Sequence, residues 1–237
     1  LAGIYFLFGH TYWIVWFLQA ILRALAVILL FFIAKKLFPE SDKVAFFSAL
    51  LFAISPDLIL ISGLLLTETL FLTLCLGALY TTLLFLERRD AWLAFFSGLL
   101  WALAILTRPT ALLPLMVLAA YVAITMKPKI LVVLLAALVI IVGSWSYFAS
   151  RRYGFFILTT GVGGYDLWVG NHPGATGGFE KNNEILAVRH SASIAELDRV
   201  AKKNYFSFLK SHPLEFFGLQ VKKTALYFSA VRPGGSA

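Results

Sequence analysis

Two of the few charged residues in this chain stand alone inside long apolar stretches: Glu68 in Thr67-Glu68-Thr69, and Arg108 in Leu106-Thr107-Arg108-Pro109-Thr110. An ion in hydrocarbon costs on the order of 2.5 kcal/mol or more, so such residues line a site, border a water-filled cavity or find a partner. For Arg108 the alternatives are an anchor among lipid headgroups and a cation for phosphate, whose anionic oxygens suit the planar guanidinium fork. Glu68 has three readings: a carboxylate at headgroup level, a neutral carboxyl hydrogen-bonded within a helix bundle, or a site residue. Five residues past Gly63, it should lie about 7 Å into its helix and be partly buried.

The other candidates carry weaker signals. Asp57 follows Pro56 and reads first as a turn residue, second as a site residue. Gln19 and Arg23 share a helix face four residues apart, where Arg23 either snorkels to headgroups or joins a site. His172 and His190 lack any HExxH or CxxC-type spacing, so solvent-exposed loop histidines are favoured over metal ligands. Lys222 and Lys223 read as interfacial anchors and Cys75 as filler within an apolar helix. No GxSxG, P-loop or GxGxxG motif is present, so nucleotide chemistry has no support.

These residues must be positioned by membrane helices. Of 237 residues, 60% are hydrophobic and 14% charged, and the mean hydropathy of +0.86 is that of an integral membrane protein. The net charge of +8 comes from basic residues set mostly at the ends of apolar runs, which excludes a nucleic-acid-binding role and places them at lipid headgroups. A crossing helix needs about 20 apolar residues. Residues 44–86, without Lys or Arg, therefore form two spans broken near Ser55-Pro56-Asp57 and Gly63. Residues 91–126 form two short spans with Arg108-Pro109 at the turn, since proline lacks the N–H a helix needs. With spans at 16–38 and 130–148 and another beginning near Leu214, about seven passes are visible or started.

The basic loops alternate with the others. Lys35, Lys36 and Lys43, then Arg88 and Arg89, then Lys127 and Lys129 fall two passes apart, on the side that the positive-inside rule makes cytoplasmic. Asp57, Glu68 and Arg108 then share the external face with the polar segment 151–213. The expected organisation is a transmembrane part at 1–150, an external loop with an interfacial helix at 151–213, and the start of a further membrane helix at 214–237. Within the external part, 154–178 reads as an ordered glycine- and aromatic-rich loop. A helix follows, opened by the capping box Ser193-Ile194-Ala195-Glu196, with Ile194, Leu197, Val200 and Ala201 on one face and a stop at His212-Pro213. Lys202, Lys203 and Lys210 opposite its aromatic face suit a membrane surface. The start at Leu1 without Met, and the end at Gly234-Gly235-Ser236-Ala237, lead us to expect a piece of a longer protein.

Three stretches in order, Leu64-Leu65-Leu66-Thr67-Glu68-Thr69-Leu70-Phe71, then Gly98-Leu99-Leu100-Trp101-Ala102-Leu103-Ala104-Ile105-Leu106-Thr107-Arg108-Pro109-Thr110, then Asn171-His172-Pro173-Gly174-Ala175-Thr176-Gly177-Gly178-Phe179, resemble bacterial glycosyltransferases of the GT-C fold. The chain is similar to the dolichyl-phosphate-mannose-protein mannosyltransferases and their lipid A aminoarabinose transferase relatives. Phe17-Leu18-Gln19-Ala20 and Ala34-Lys35-Lys36-Leu37-Phe38 extend the likeness upstream. The resemblance implies an all-α polytopic bundle that takes a sugar from a polyprenyl-phosphate donor and passes it, with inversion, to a lipid, glycan or protein acceptor outside the cytoplasmic membrane. It implies that Glu68 is a catalytic-pocket acid and Arg108 the cation facing the carrier phosphate, with Asp57, Asn171 and His172 as further substrate-binding candidates. It also implies that the family's principal catalytic acid lies in a loop ahead of Leu1, so that these 237 residues alone are expected to be inactive. No cofactor is named by residues or resemblance, and a divalent cation is compatible with both.

A polyprenyl-linked glycan transporter or flippase is the competing class, since it would use the same charges for binding. Transporters commonly carry paired inverted repeats with matching broken helices, and none is visible here. A purely structural membrane subunit would leave both isolated charges and the long external segment without a role.

Overall fold

Apolar runs of this length cannot leave backbone N–H and C=O groups unpaired in lipid, and helices satisfy them internally. The computed structural model describes residues 2–64, 67–176 and 193–228, and among these the chain is an all-α polytopic assembly with no strand. The Leu65-Leu66 step, positions 177–179 of the loop motif, His190 and the closing Gly234-Gly235-Ser236-Ala237 lie outside the described residues. The helices are α1 (Ala2–Phe8), α2 (Tyr12–Leu37), α3 (Asp42–Ile54), α4 (Pro56–Gly63), α5 (Glu68–Arg88) and α6 (Ala91–Thr107). A short 3-10 turn at Pro109–Ala111 leads to α7 (Leu112–Thr125). Next, α8 (Pro128–Leu138) passes through a π turn at Val139–Gly143 into α9 (Ser144–Tyr153), followed by α10 (Gly163–Gly170), α11 (Ile194–Ser211) and α12 (Pro213–Phe228).

Among the described residues, three helices are long and apolar enough to cross a membrane: Tyr12–Leu37, Glu68–Arg88 and the continuous Pro128–Tyr153. The pair α3–α4, bent by 50° at Ser55, makes a fourth if it is one span. The apolar runs alone suggest about seven passes. The difference arises because Ala91–Thr107 and Pro109–Thr125 fall just short of that length, and because the 16-residue α12 carries Glu215, Lys222 and Lys223.

The chain divides into two compact units, residues 1–145 and 146–237. In the first, small residues let the helices approach closely around a core that also holds Phe85, Ile105 and Leu134, a way of packing suited to helices between which lipid supplies no hydrophobic drive. Ala78, Ala94, Ala102 and Ala104 are fully buried, whereas Phe46, Leu51, Leu113 and Ile124 are exposed. Helix α6 packs against both α5 and α8. A Cβ at Gly98 would stand 2.3 Å from the Leu134 carbonyl oxygen, so only glycine permits that approach of α6 to α8. Deep between α5 and α6, the Thr82 hydroxyl bonds to Ser97 at 2.8 Å and accepts from the Trp101 indole at 3.2 Å, which pairs polar groups that lipid could not satisfy.

In the second unit, the N-cap bond of the expected capping box forms, the Ser193 hydroxyl accepting the Glu196 N–H at 3.3 Å, and α11 is capped by His212 at its end. Its inward residues are Leu197, Asp198, Ala201 and Phe208. The face proposed from sequence for a membrane surface is occupied by α10 and by Phe216 of α12, whose ring lies 5.7 Å from Tyr205 and 6.2 Å from Phe208. Ile157 is pinned to α9, its N–H donating to the Ser150 hydroxyl at 2.9 Å and its carbonyl accepting from Ser146 at 2.6 Å.

Candidate active site

Helices α5 and α6 form an antiparallel hairpin whose tight turn is made by Arg89, in the left-handed region at φ 53°, and by Asp90, whose carboxylate caps α6 by accepting the Trp92 N–H at 2.7 Å. The hairpin brings the first residue of α5 to the residue that caps the end of α6. Those residues are Glu68 and Arg108, and Arg108 Nη2 donates to Glu68 Oε1. Glu68 is therefore not a turn or more into its helix, as the sequence spacing suggests, but is the first residue of α5. Each charge sits at the helix end that favours it, the carboxylate at the partly positive N-terminus of α5 and the guanidinium at the partly negative C-terminus of α6.

The pair is half open, with Arg108 43% and Glu68 30% exposed in their side chains. The second carboxylate oxygen of Glu68, Oε2, is sealed from solvent and accepts no hydrogen bond among the described residues. Beside it is a cavity of about 220 Å³ lined by Glu68, Thr69, Arg23, Phe52, Leu58 and Ile61. A second, apolar cavity of about 550 Å³ runs along α5 from Phe71 to Leu86 and is bordered on its other side by Thr110 and Ala111, next to Arg108.

The opposite end of the first unit is basic. Lys36 pairs with Glu87 at the far end of α5, and Lys35 with Asp42 at 3.2 Å. With Arg88 and Arg89 beside them, they are separated from Glu68 by the 21-residue length of α5, about 30 Å.

Asp57 is the second residue of α4, exposed, and is not among the residues lining the Glu68 cavity. Arg23 does not snorkel; it lines the Glu68 cavity and donates to the carbonyls of Phe52 and Ala53. Asn171 and His172 belong to the second unit, at the end of α10. The Asn171 side-chain carbonyl accepts from Lys223 at 2.6 Å and Gln220 at 2.8 Å. Lys223, read from sequence as an interfacial anchor, is thus a partner of that loop. His172 is buried, at 6% exposure, rather than a solvent-facing histidine. Its Nδ1 lies 2.9 Å from the Pro173 carbonyl, which can only accept, so Nδ1 carries the proton. Trp168 covers the ring at 6.1 Å.

Sequence reasoning missed a second carboxylate. Asp198 is buried between α10 and α11, its Oδ1 accepting the Gly164 N–H at 2.6 Å and its Oδ2 pairing with Lys202 at 2.6 Å. The one-turn spacing of Asp198 and Lys202 was the available signal. Burial raises the neighbouring Asp166 carboxyl above the ordinary aspartate value, and the Asp198 charge adds to the rise. Among the described residues, no three His, Cys, Asp or Glu side chains converge as metal ligands.

The model of one family, described as dolichyl-phosphate-mannose-protein mannosyltransferase, matches residues 1–147. The chain belongs to that family. No curated protein and no solved structure matches it. The family region takes in the first unit, with Asp57, Glu68 and Arg108, and stops before Asn171 and His172. This family member is a membrane glycosyltransferase by type, and its paired carboxylate and guanidinium lie inside the matched region.

Proposed function

We propose that the protein transfers a sugar from a polyprenyl-phosphate donor to a hydroxyl of a lipid, glycan or protein acceptor at the external face of the cytoplasmic membrane, with inversion at the anomeric carbon. The observation that carries this reading is the Glu68–Arg108 pair: two charges at one end of the family-matched bundle, with one carboxylate oxygen buried and without a donor among the described residues. In the reaction the acceptor oxygen bonds to the anomeric carbon as the bond from that carbon to the phosphate oxygen breaks. The electron pair leaves with the polyprenyl phosphate, and the hydroxyl proton passes to a carboxylate. Arg108 offers its fork to the departing phosphate, where donors fixed in place stabilise the charge as it develops. Because Arg108 also holds Glu68, a phosphate arriving at the guanidinium competes with the carboxylate. Donor binding thereby frees Glu68 to take or orient the acceptor proton.

The apolar cavity from Thr110 to Leu86 supports the lipid part of the donor: it begins beside Arg108 and follows α5 for about 20 Å. The basic far end of the bundle supports the external placement of the pair, since basic ends favour the cytoplasm. Asn171 and His172 are proposed as substrate contacts from the second unit.

The test is turnover of labelled polyprenyl-phosphate sugars in membranes containing the complete protein. Glu68→Gln and Arg108→Ala are each expected to lower transfer on the order of 10²-fold or more. Full activity in both variants would remove the assigned roles, and movement of lipid-linked sugar across the membrane without glycosidic bond formation would replace the transferase with a transporter.

A further inference from the structure

Helix α4 has no fully buried residue; Leu58, Ile61 and Ser62 are half-buried where it packs on α2, α3 and α5. It is flanked by the 220 Å³ cavity, which includes Leu58 and Ile61, and by a larger one of about 620 Å³ that includes Ile59, Ser62 and Gly63. Arg23 of α2 lines both. Helix α4 precedes Glu68 in the chain and packs on α5 as well as on α2.

The break that creates α4 leaves specific groups without partners. In an unbroken helix the N–H of residue 56 would serve the carbonyl of Phe52, and that of residue 57 the carbonyl of Ala53. Pro56 has no N–H, and Ser55 at ψ 117° turns the chain out of helix. Arg23 Nη2 donates to these same two carbonyls, at 3.3 Å to Phe52 and 2.7 Å to Ala53. One turn earlier on the same face of α2, Gln19 is buried and donates from Nε2 to the carbonyl of Leu64, the residue that caps the other end of α4, at 3.0 Å. The two polar side chains of α2 thus grip α4 just before its start and just after its end.

We propose that Gln19 and Arg23 are positioning residues: they tie α4 to α2 at both ends and so help hold Glu68 against Arg108. The idea rests on the reading of Glu68 and Arg108 as a site, and it predicts a geometric effect that needs no activity to be seen. In a Cys75→Ala background, Glu68→Cys and Arg108→Cys in the intact protein in membranes should be crosslinked by a short bifunctional thiol reagent. The crosslinking yield should fall several-fold when Gln19→Leu or Arg23→Met is added. Arg23→Lys, which keeps one donor for the Ala53 carbonyl, should restore most of it.

In the otherwise native protein, Gln19→Leu should lower kcat, approaching 10²-fold if Glu68 moves by about 1 Å, with the donor KM little changed. If Arg23→Met fails to fold, Gln19→Leu carries the test. Unchanged crosslinking in Gln19→Leu, and in Arg23→Met where it folds, would overturn the proposal, as would reduced crosslinking with kcat intact. A native protein that transfers no sugar, while crosslinking still falls in the variants, would sink the transferase reading and leave the tether standing.

Discussion

Glu68 and Asp198 are each held by a cation, and their surroundings differ in every respect that matters for chemistry. Asp198 is 8% exposed, its partner Lys202 is one turn away on the same helix, and its other oxygen accepts the Gly164 N–H. Glu68 is 30% exposed, its partner Arg108 comes from a different helix, and its second oxygen is buried without a donor beside a cavity. A buried carboxylate with both oxygens engaged has nothing left to offer a substrate, and it fastens α10 to α11. A carboxylate with an unsatisfied oxygen bears a standing cost of about 1–3 kcal/mol, which a hydroxyl donor would relieve. A half-exposed ion pair stabilises by at most about 1 kcal/mol, so stability alone gives little reason to place two charges in an apolar frame.

Reversing the charges separates the two kinds of pair most sharply. If Glu68 and Arg108 serve only each other, Glu68→Arg combined with Arg108→Glu restores the bridge and the activity. If they face substrate, the double variant folds and inserts normally but loses transfer by about 10²- to 10⁴-fold, because base and phosphate cation have exchanged places. Donor turnover, measured beside a thermal melt in detergent, reads both quantities. Recovery of wild-type rate would make this pair another Asp198–Lys202.

The converse break is steric. A Cβ at Gly164 would lie 2.5 Å from the Asp198 carbonyl oxygen, 2.6 Å from Lys202 Cγ and 2.8 Å from Asp198 Oδ1, so Gly164→Ala must push α10 away from α11. Overpacking of this type costs about 1–3 kcal/mol. It should appear as a lower melting temperature and faster proteolysis within the second unit. Glu68→Gln, by contrast, should shift stability by less than about 1 kcal/mol while abolishing most transfer. A Gly164→Ala protein as resistant as the native one would show that α10 and α11 part easily.

What the sequence disclosed, and what it concealed, follows the range of the interactions. The Ser193-x-x-Glu196 cap, the Pro56 break and the Arg108-Pro109 turn are written in adjacent residues, and each forms where local chemistry puts it. The isolation of Glu68 and Arg108 in apolar sequence was legible, but their pairing depends on how α5 and α6 register across a hairpin. Glu68 looked embedded because the apolar Leu64-Leu65-Leu66 run before it reads as helix. His172 looked exposed because it falls in a loop segment without metal-ligand spacing, whereas in the structure it is buried, with Trp168 of the preceding helix beside its ring. The duty of Arg23 is readable only once Pro56 is counted as a missing donor four residues beyond Phe52.

A subtler variant asks what Arg108 contributes beyond charge. Arg108→Lys keeps a cation beside Glu68 but replaces the planar fork by a single ammonium, which cannot serve the carboxylate and a phosphate with parallel hydrogen bonds. Loss of one charge-assisted bond, about 1.5 kcal/mol or more, corresponds to roughly tenfold in transfer. The defect should fall on donor turnover with no drop in melting temperature. An Arg108→Lys protein as impaired as Arg108→Ala would mean that the fork's geometry, rather than its charge, carries the function.

The smallest effect sharpens the structural side of the comparison. Asp166, on α10, has its carboxyl pushed above the ordinary aspartate value, by burial first and by the Asp198 charge second. A carboxyl that holds its proton more tightly when folded than when unfolded binds more protons in the native state between the two pKa values. Stability therefore declines as pH rises through that window and stays reduced above it. At neutral pH the charged Asp166 opposes the packing of α10 on α11 that Asp198 secures. Asp166→Asn should accordingly melt slightly higher than the native protein at pH 7, and the advantage should shrink to nothing as the pH is lowered past about 3.9, where the unfolded carboxyl is also protonated. An advantage of equal size at both ends of the titration would assign the gain to packing, and would leave Asp198 and Lys202 as a pair that the third carboxylate does not perturb.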